Sequence, residues 1–370
     1  TWTNVGGNLP GINSEVWVNR IEPSHHAAST AYVVLDNHRF DDMDPHIYKT
    51  TDFGASFTDI TSNLPAGIGS YVVLEDPVNP NLLFVGTEYG AFASVNGGAD
   101  WFKLSTGMPN VAVRDMLIHP RDADLVAGTH GRSIWILDDI TPLRQMTSEV
   151  TSADAYLFKN EVGTKWVTIN LGRKQPDFFF RGENPPPGAS INFWLNDAPQ
   201  ENVQLQVSEF VGDRVVDLRM GGQGGRRGSG RGRSNRAGIG QLPQAGINRI
   251  FWNFQFPSTD AERASMRQRL TDAIIFLQGQ VIEDSKQQQL TRRAGEIANA
   301  DDDGSLNAIR NELAADFNGY AAGEMLFGPQ IGPTTAEPNT YRITLTVDGQ
   351  SYEGSVTIRD DPLATKHGGR

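Results

Sequence analysis

The sequence predicts a mainly β protein in two parts: a tandem array of short-stranded units, then a β-sandwich interrupted by helices. Three observations carry that reading. Glycine (39) and proline (20) are abundant among 370 residues, as in turn-rich β proteins. The first half repeats a turn motif, and the second half alternates apolar and polar residues in short runs. The length suffices for two or three domains, each with its own core.

Bulk properties narrow the function. A formal charge of −12 and a pI near 5.1 favour solubility and disfavour a general nucleic-acid or anionic-membrane surface. No apolar run approaches the roughly 18 residues of a transmembrane helix, so no membrane span is expected. The absence of cysteine excludes disulfides, thiol catalysis and Cys-ligated zinc. The chain opens with Thr1-Trp2-Thr3-Asn4 and not with a signal peptide, so this start reads as processed or truncated.

The repeat organises the first half. Thr50-Thr51-Asp52-Phe53-Gly54-Ala55-Ser56-Phe57 and Ser94-Val95-Asn96-Gly97-Gly98-Ala99-Asp100-Trp101 share the pattern Ser/Thr-x-Asp/Asn-x-Gly-x-x-aromatic, their aromatics 44 residues apart. Each aromatic leads to a similar tripeptide: Trp2 to Asn8-Leu9-Pro10, Phe57 to Asn63-Leu64-Pro65, and Trp101 to Gly107-Met108-Pro109. An apolar strand ending in proline follows (Pro23, Pro77, Pro120), and a second strand comes after it, as at Leu82–Thr87 and Leu125–Thr129. About 44 residues with several short strands is the size of one propeller blade. Residues 1–143 therefore read as about three blades of a partial β-propeller, fewer than the roughly four to eight of a closed one. Other blades of the same or another chain are expected partners, because Trp2 holds the aromatic place of a motif whose beginning is absent.

The octapeptides resemble the Asp-box of bacterial-neuraminidase-type (BNR) repeats, found in sialidases, xyloglucanases and sortilin-type propellers. The resemblance implies that the acidic side chain caps a hairpin turn, the glycine takes positive φ and the aromatic plugs between strands. Thr50, Asp52, Gly54, Phe57, Ser94, Asn96, Gly98 and Trp101 then have structural roles, consistent with the turn chemistry of Asp and Asn. Ala127-Gly128-Thr129-His130-Gly131-Arg132-Ser133-Ile134-Trp135-Ile136-Leu137-Asp138-Asp139 is similar to the closing blade of large bacterial sortilin-like proteins often labelled glycosyl hydrolases. The fold does not carry the activity with it.

Residues 144–257 and 330–361 read as an immunoglobulin- or fibronectin-III-like sandwich. Its strands are expected at residues 166–171, 191–195, 203–207 and 246–254, with a hairpin whose arms flank Asp348-Gly349. A helical insertion occupies 258–329. Thr259 and Glu262 form a capping box there, with Met266, Leu270, Ile274, Leu277 and Val281 as one apolar stripe and Leu306, Ile309, Leu313 and Phe317 as another. Residues 219–240 form an Arg/Gly-rich segment, read as a flexible loop or as a binder of RNA or acidic glycan. Residues 362–370 form a tail.

Candidate chemistry is sparse. Asn299, Asp301, Asp303 and Gly304 imitate a calcium loop, but Arg310 stands where a bidentate Glu is required. The alternative is a solvated turn with Ser305 starting a helix. Asp41, Asp42 and Asp44 carry hard-metal ligands and are the candidates for a structural calcium, although such loops are mostly solvated; no other cofactor is expected. Glu88, Arg114, Asp115 and Arg132 are placed near the inner ends of blades as candidate ligand-binding residues, the alternative being that Arg114 and Asp115 merely terminate a strand. No Gly-x-Ser-x-Gly, His-Glu-x-x-His or phosphate-loop pattern is present.

Three functions follow. The first is a secreted or periplasmic sortilin-like protein that binds a peptide, protein or glycan, non-catalytic in this region. The second is a glycoside hydrolase of sialidase or xyloglucanase type, with most of its catalytic carboxylates in other blades. The third is an assembly component of an extracellular complex.

Overall fold

The structure is a computed structural model that describes residues 2–12, 16–104, 107–167, 185–199, 203–218, 220, 243–320, 327–362 and 364. It is mainly β and built from antiparallel sheets. The chain divides into two compact units: Thr1–Glu161 with Asn192–Ala198 and Gln244–Asn248, and the remainder.

The first unit holds three sheets in sequence order. Strands β1 (Trp17–Pro23), β2 (Ala31–Asp36), β3 (His46–Thr50) and β4 (Thr58–Asp59) form the first, and β5 (Ser70–Glu75), β6 (Leu83–Thr87), β7 (Gly90–Ser94) and β8 (Phe102–Leu104) the second. The third has only β9 (Val113–Ile118), β10 (Leu125–Thr129) and β11 (Ile134–Leu137). Helices α1 (Thr141–Arg144) and α2 (Ser148–Ser152) and strand β12 (Ala155–Leu157) follow. The first stretch of this unit runs to Glu161, and Ile140 and Leu143 join the core between the second and third sheets.

The middle sheet is buried on both faces, which explains why β6 reads as an unbroken apolar run. Val73, Leu83, Val85 and Phe92 pack with Tyr32, Val34 and Ile47 of the first sheet. Val72, Leu74, Phe84, Ala91 and Ala93 pack with Val113, Met116, Leu125 and Ala127 of the third. The approach is close: a Cβ on Gly86 would lie 2.6 Å from the Val113 carbonyl oxygen.

The two octapeptides form turns with the same hydrogen bonds. The hydroxyl of Thr50 or Ser94 accepts the amide of Gly54 or Gly98 at 2.9 Å and donates to Oδ1 of Asp52 or Asn96 at 2.8 Å. That Oδ1 accepts the amide of Ser56 or Asp100, again at 2.9 Å. Gly54 and Gly98 sit at φ 84° and 94°, where a side chain is strained. The space is also taken: a Cβ on Gly98 would meet Ile60 at 3.0 Å, and one on Gly54 would meet Val5 at 3.2 Å. Trp101 is buried between the first two sheets, its indole donating to the Ile60 carbonyl at 2.9 Å. Asn63 grips the backbone of Trp101 through both its amide nitrogen (3.0 Å) and its carbonyl oxygen (2.7 Å). Asn8 holds the Gly54 carbonyl at 2.8 Å in the same phase of the repeat.

The third sheet departs from this scheme. Strand register equates Ile136 with Ala93, since their partners Val126 and Phe84 pair with the equivalent Leu117 and Leu74. Leu137 then replaces the turn hydroxyl of Ser94, and Asp139 falls at the place of Asn96. The Asp139 carboxylate accepts from the amide and hydroxyl of Thr141 and from the Asn192 amide, and the chain turns into α1 with Pro142 near its start. Among the described residues no fourth strand pairs with β11.

The second unit, taken by itself, contains β13 (Gly163–Lys165), part of β14 (Ala189–Leu195), β15 (Gln204–Glu209), β16 (Val215–Leu218), part of β17 (Gly246–Trp252), β18 (Gln255–Phe256), and helices α3 (Asp260–Gln280), α4 (Asp284–Ala298) and α5 (Asp303–Asp316). Strands β19 (Thr334–Thr335), β20 (Thr340–Val347) and β21 (Gln350–Asp360) complete it. Its main sheet has the order β13-β21-β20-β15-β16, with β13 parallel to β21. In β15, Leu205 and Val207 are buried and alternate with exposed Gln204 and Gln206. Asp348 and Gly349 join β20 to β21 with φ of 46° and 82°, the positive-φ pair of a tight hairpin. Trp252, Phe256 and Tyr341 form an aromatic cluster with centroids 5.1 to 5.6 Å apart.

Both apolar helical stripes are buried in one cluster, and Thr259 and Glu262 exchange the two bonds of a capping box. Two expectations change. Helix α5 begins at Asp303, not Ser305, because the Asp302 carboxylate caps it by accepting the amide and hydroxyl of Ser305. Near residue 166 the strand is Gly163–Lys165, with the Trp166 amide folded back to the Thr164 carbonyl. Residues 168–171, the Arg/Gly-rich segment save Met220, and residues 365–370 lie outside the described residues.

Two outcomes are expected for the turns. Trp101→Ala removes a buried indole and should destabilise the protein by about 3–5 kcal/mol in denaturant unfolding. The Asp52 carboxyl is held down to about 2 by the hydroxyl and amide of Ser56 and then by Thr50. Its contribution is therefore complete above about pH 4, the unfolded range, and is lost as pH falls through about 2. Asp52→Asn, the side chain already used at position 96, should narrow the fall in Tm between about pH 4 and pH 2 while leaving the fold intact.

Candidate functional site

The first strand of each sheet in the first unit is an edge strand, and β5 packs beside both β1 and β9. Each of these three strands carries a β-bulge at the same place. Pairing skips Asn19 between Val18 and Arg20, Tyr71 between Ser70 and Val72, and Arg114 between Val113 and Asp115. A bulge inserts one residue and re-aims its side chain, a device common beside functional sites. The strand ends that carry the bulges share one rim with the turns β2–β3, β6–β7 and β10–β11.

The re-aimed side chains meet neighbours across sheets. Asn19 donates to the Ser70 carbonyl at 3.0 Å. The Arg114 guanidinium lies over the Tyr71 ring, 3.6 Å from its centroid, and 3.7 Å from Glu88 Oε2, which also accepts a short hydrogen bond from the Tyr71 hydroxyl. Burial, followed by that bond to Glu88, pushes the Tyr71 phenol up to about 12. Arg114 and Glu88 remain nearly half exposed, so the cluster is open to a ligand. Trp17 and Tyr89 stand exposed on the same rim, with the Arg39 guanidinium 4.6 Å from the Trp17 ring centroid. Burial works to raise the Asp36 carboxyl, but hydrogen bonds from His38 outweigh it and hold it low.

Of the four candidate binding residues, the structure joins Glu88 to Arg114. Asp115 instead faces Arg20 at 3.5 Å, from the next position of the repeat. Arg132 lies exposed in the β10–β11 turn, its carbonyl accepting from the Trp135 indole. Asp42 of the acidic loop accepts from Asn37, His46 and the Asp44 amide, and Asp44 accepts from the Gly67 amide. These bonds staple the loop, and among the described residues no group of three acidic, His or Cys side chains is placed to hold a metal.

Sequence reading missed Tyr71, Trp17 and two buried carboxylates. Glu75 accepts from Tyr32 at 2.8 Å, from Ser24 and from the His25 amide. Glu22, buried beside it and 3.4 Å from Arg20, is raised chiefly by burial. Aligning the first strands on their closing prolines would have raised the question of what Tyr71 and Arg114 share.

No protein-family model matches the chain, and no curated protein matches it. Among solved structures it is similar to the GH74 enzyme of Niastella koreensis (19% identity, TM-score 0.30), over 40% of this chain and 24% of that one. It is also similar to the GH74 xyloglucanase of Xanthomonas campestris (14%, TM-score 0.26, 42% and 26%) and to YCF48 bound to D1 peptide (15%, TM-score 0.27, 55% and 61%). The matched part thus spans about a quarter of either GH74 enzyme.

One outcome tests the cluster. Glu88→Gln should lower the Tyr71 phenol from about 12, read by ultraviolet absorbance titration, because it removes a carboxylate that stabilises the protonated hydroxyl.

Proposed function

We propose that this chain is part of a secreted or periplasmic Asp-box propeller of sortilin-like type, a binding protein whose peptide, protein or glycan ligand lands on the rim built by the three bulges. The observation that carries this reading is the repetition of one bulge in three sheets, presenting Asn19, Tyr71 and Arg114 toward a common face. A bulge that served only strand geometry would not need to bring an arginine onto a tyrosine ring with a carboxylate closing the set. The mixture of exposed ring faces with a half-exposed guanidinium suits ligands that combine stacking surface with polar groups.

Glycan arrays and peptide libraries, read by interferometry, should identify a ligand. Arg114→Ala should weaken its binding at least tenfold with an unchanged Tm. Full affinity in Arg114→Ala and in Trp17→Ala would overturn the assignment of the rim.

A second reading, glycoside hydrolysis, is favoured by the Glu22–Arg20–Asp115 chain on the first strands. Burial keeps Glu22 protonated to higher pH, as a general acid requires, and Asp115 is largely exposed. Release of reducing ends from polysaccharide, lost in Glu22→Gln, would move this reading to first place.

A further inference from the structure

We propose that the cleft beside the first turns of α3, in the second unit, binds a small organic anion whose carboxylate or phosphate head meets the Arg269 guanidinium. It uses no residue of the rim. The cleft holds about 450 Å³ between one face of α3 and the segment 329–334. Ala261, Ser265 and Arg269 recur every four residues and so share that helix face, where the first two side chains are small and leave space. Pro329 and Ile331 supply the apolar part of the opposite wall.

Charge pairing singles out Arg269. On the same helix Arg263 reaches Asp260 and Asp303, and Arg267 reaches Asp301. On α4, Lys286, Arg292 and Arg293 reach Glu283, Glu296 and Glu312. Arg269 makes no hydrogen bond or ion pair among the described residues, and its Nε is buried without a partner. A Cβ placed on Gly328 would lie 3.3 Å from that nitrogen and 3.4 Å from Cζ, so the guanidinium is seated against backbone. The Gly328 carbonyl accepts from Arg310 Nε at 3.0 Å. Arg310, the residue that breaks the calcium-loop pattern, otherwise bonds only the neutral Asn311. Two guanidiniums thus converge on Gly328, and among the described residues neither meets a carboxylate.

In a chain with a formal charge of −12, two unanswered cations in one place leave room for an anion from outside. Glu262 also lines the cleft, but its oxygens are engaged by Arg214 at 2.7 Å and by the Thr259 amide at 2.8 Å. A guanidinium offers a planar fork of N–H donors that matches two oxygens of a carboxylate or phosphate, and such charge-assisted bonds are about twice as strong as neutral ones. The Ser265 hydroxyl, one turn away, adds a donor, and Pro329 and Ile331 suit an apolar body. A partly buried cation without a counter-charge is costly, and the bound anion offsets that cost.

The test titrates benzoate and phenyl phosphate, with uncharged benzamide as control, into the 370-residue protein and follows the NMR signals of the arginine Nε–H groups. At least one anion should bind saturably and shift the signal that Arg269→Gln removes, while benzamide should not bind. Saturation by benzoate alone assigns a carboxylate head, and saturation by phenyl phosphate alone assigns a phosphate head. Arg269→Gln should weaken binding by about tenfold or more. Ser265→Leu, at an exposed helical position, should fill the cleft and weaken binding to a similar degree with an unchanged Tm. Benzamide binding as tightly as benzoate, full affinity in either variant, or no saturable binding of either anion would overturn the proposal.

Discussion

The first unit depends on a hydroxyl-centred turn. The hydroxyl of Thr50 or Ser94 ties the positive-φ glycine to the acidic or amide side chain two residues on, and that side chain fixes the next amide. Once the turn is set, the aromatic three residues beyond the glycine has one direction to point. Trp101 then reaches the linker of the preceding sheet, where Ile60 and Asn63 receive it. Local turn chemistry is thus converted into spacing between sheets. Where the hydroxyl is lost, at Leu137, the chain leaves the pattern and the third sheet stops at three strands.

Regular spacing of the sheets is also what makes the rim. Because each sheet begins with a bulged edge strand, equivalent positions of successive repeats come within side-chain reach. Arg20 meets Asp115, and Tyr71 meets Arg114, as pairs of equivalent residues in different sheets. The repeat therefore conserves geometry while varying chemistry, with asparagine, tyrosine and arginine at one position. A rigid frame with variable side chains at a bulge is a sound basis for recognition.

Much of this was legible in the sequence where spacing encodes structure. The octapeptides, the phase of Asn8, Asn63 and Gly107, the capping box at Thr259 and the hairpin at Asp348-Gly349 rest on local rules, and the structure displays those bonds and dihedrals. The bulges were not legible, because a register shift is a property of two paired strands and leaves no mark in either alone. For the same reason Arg114 appeared as a lone charge, with no sign of Tyr71. Glu75 was hidden by its satisfaction: its partners Ser24, His25 and Tyr32 are about 50 residues distant, and only the fold assembles them. The choice of Asp302 over Ser305 as the α5 cap turned on competition between neighbouring caps, which sequence rules rank only coarsely.

The most direct measurement is native-state hydrogen exchange at the turn amides. Gly54 and Gly98, and the exposed Ser56 and Asp100, are in turns whose amides would ordinarily exchange rapidly. If the turns hold the sheets in place, the Gly54 and Gly98 amides exchange only with unfolding of the first unit, as slowly as the β6 core. Exchange of these amides at free-loop rates, with β6 still protected, would contradict the account, since the sheets would then stand without the turns.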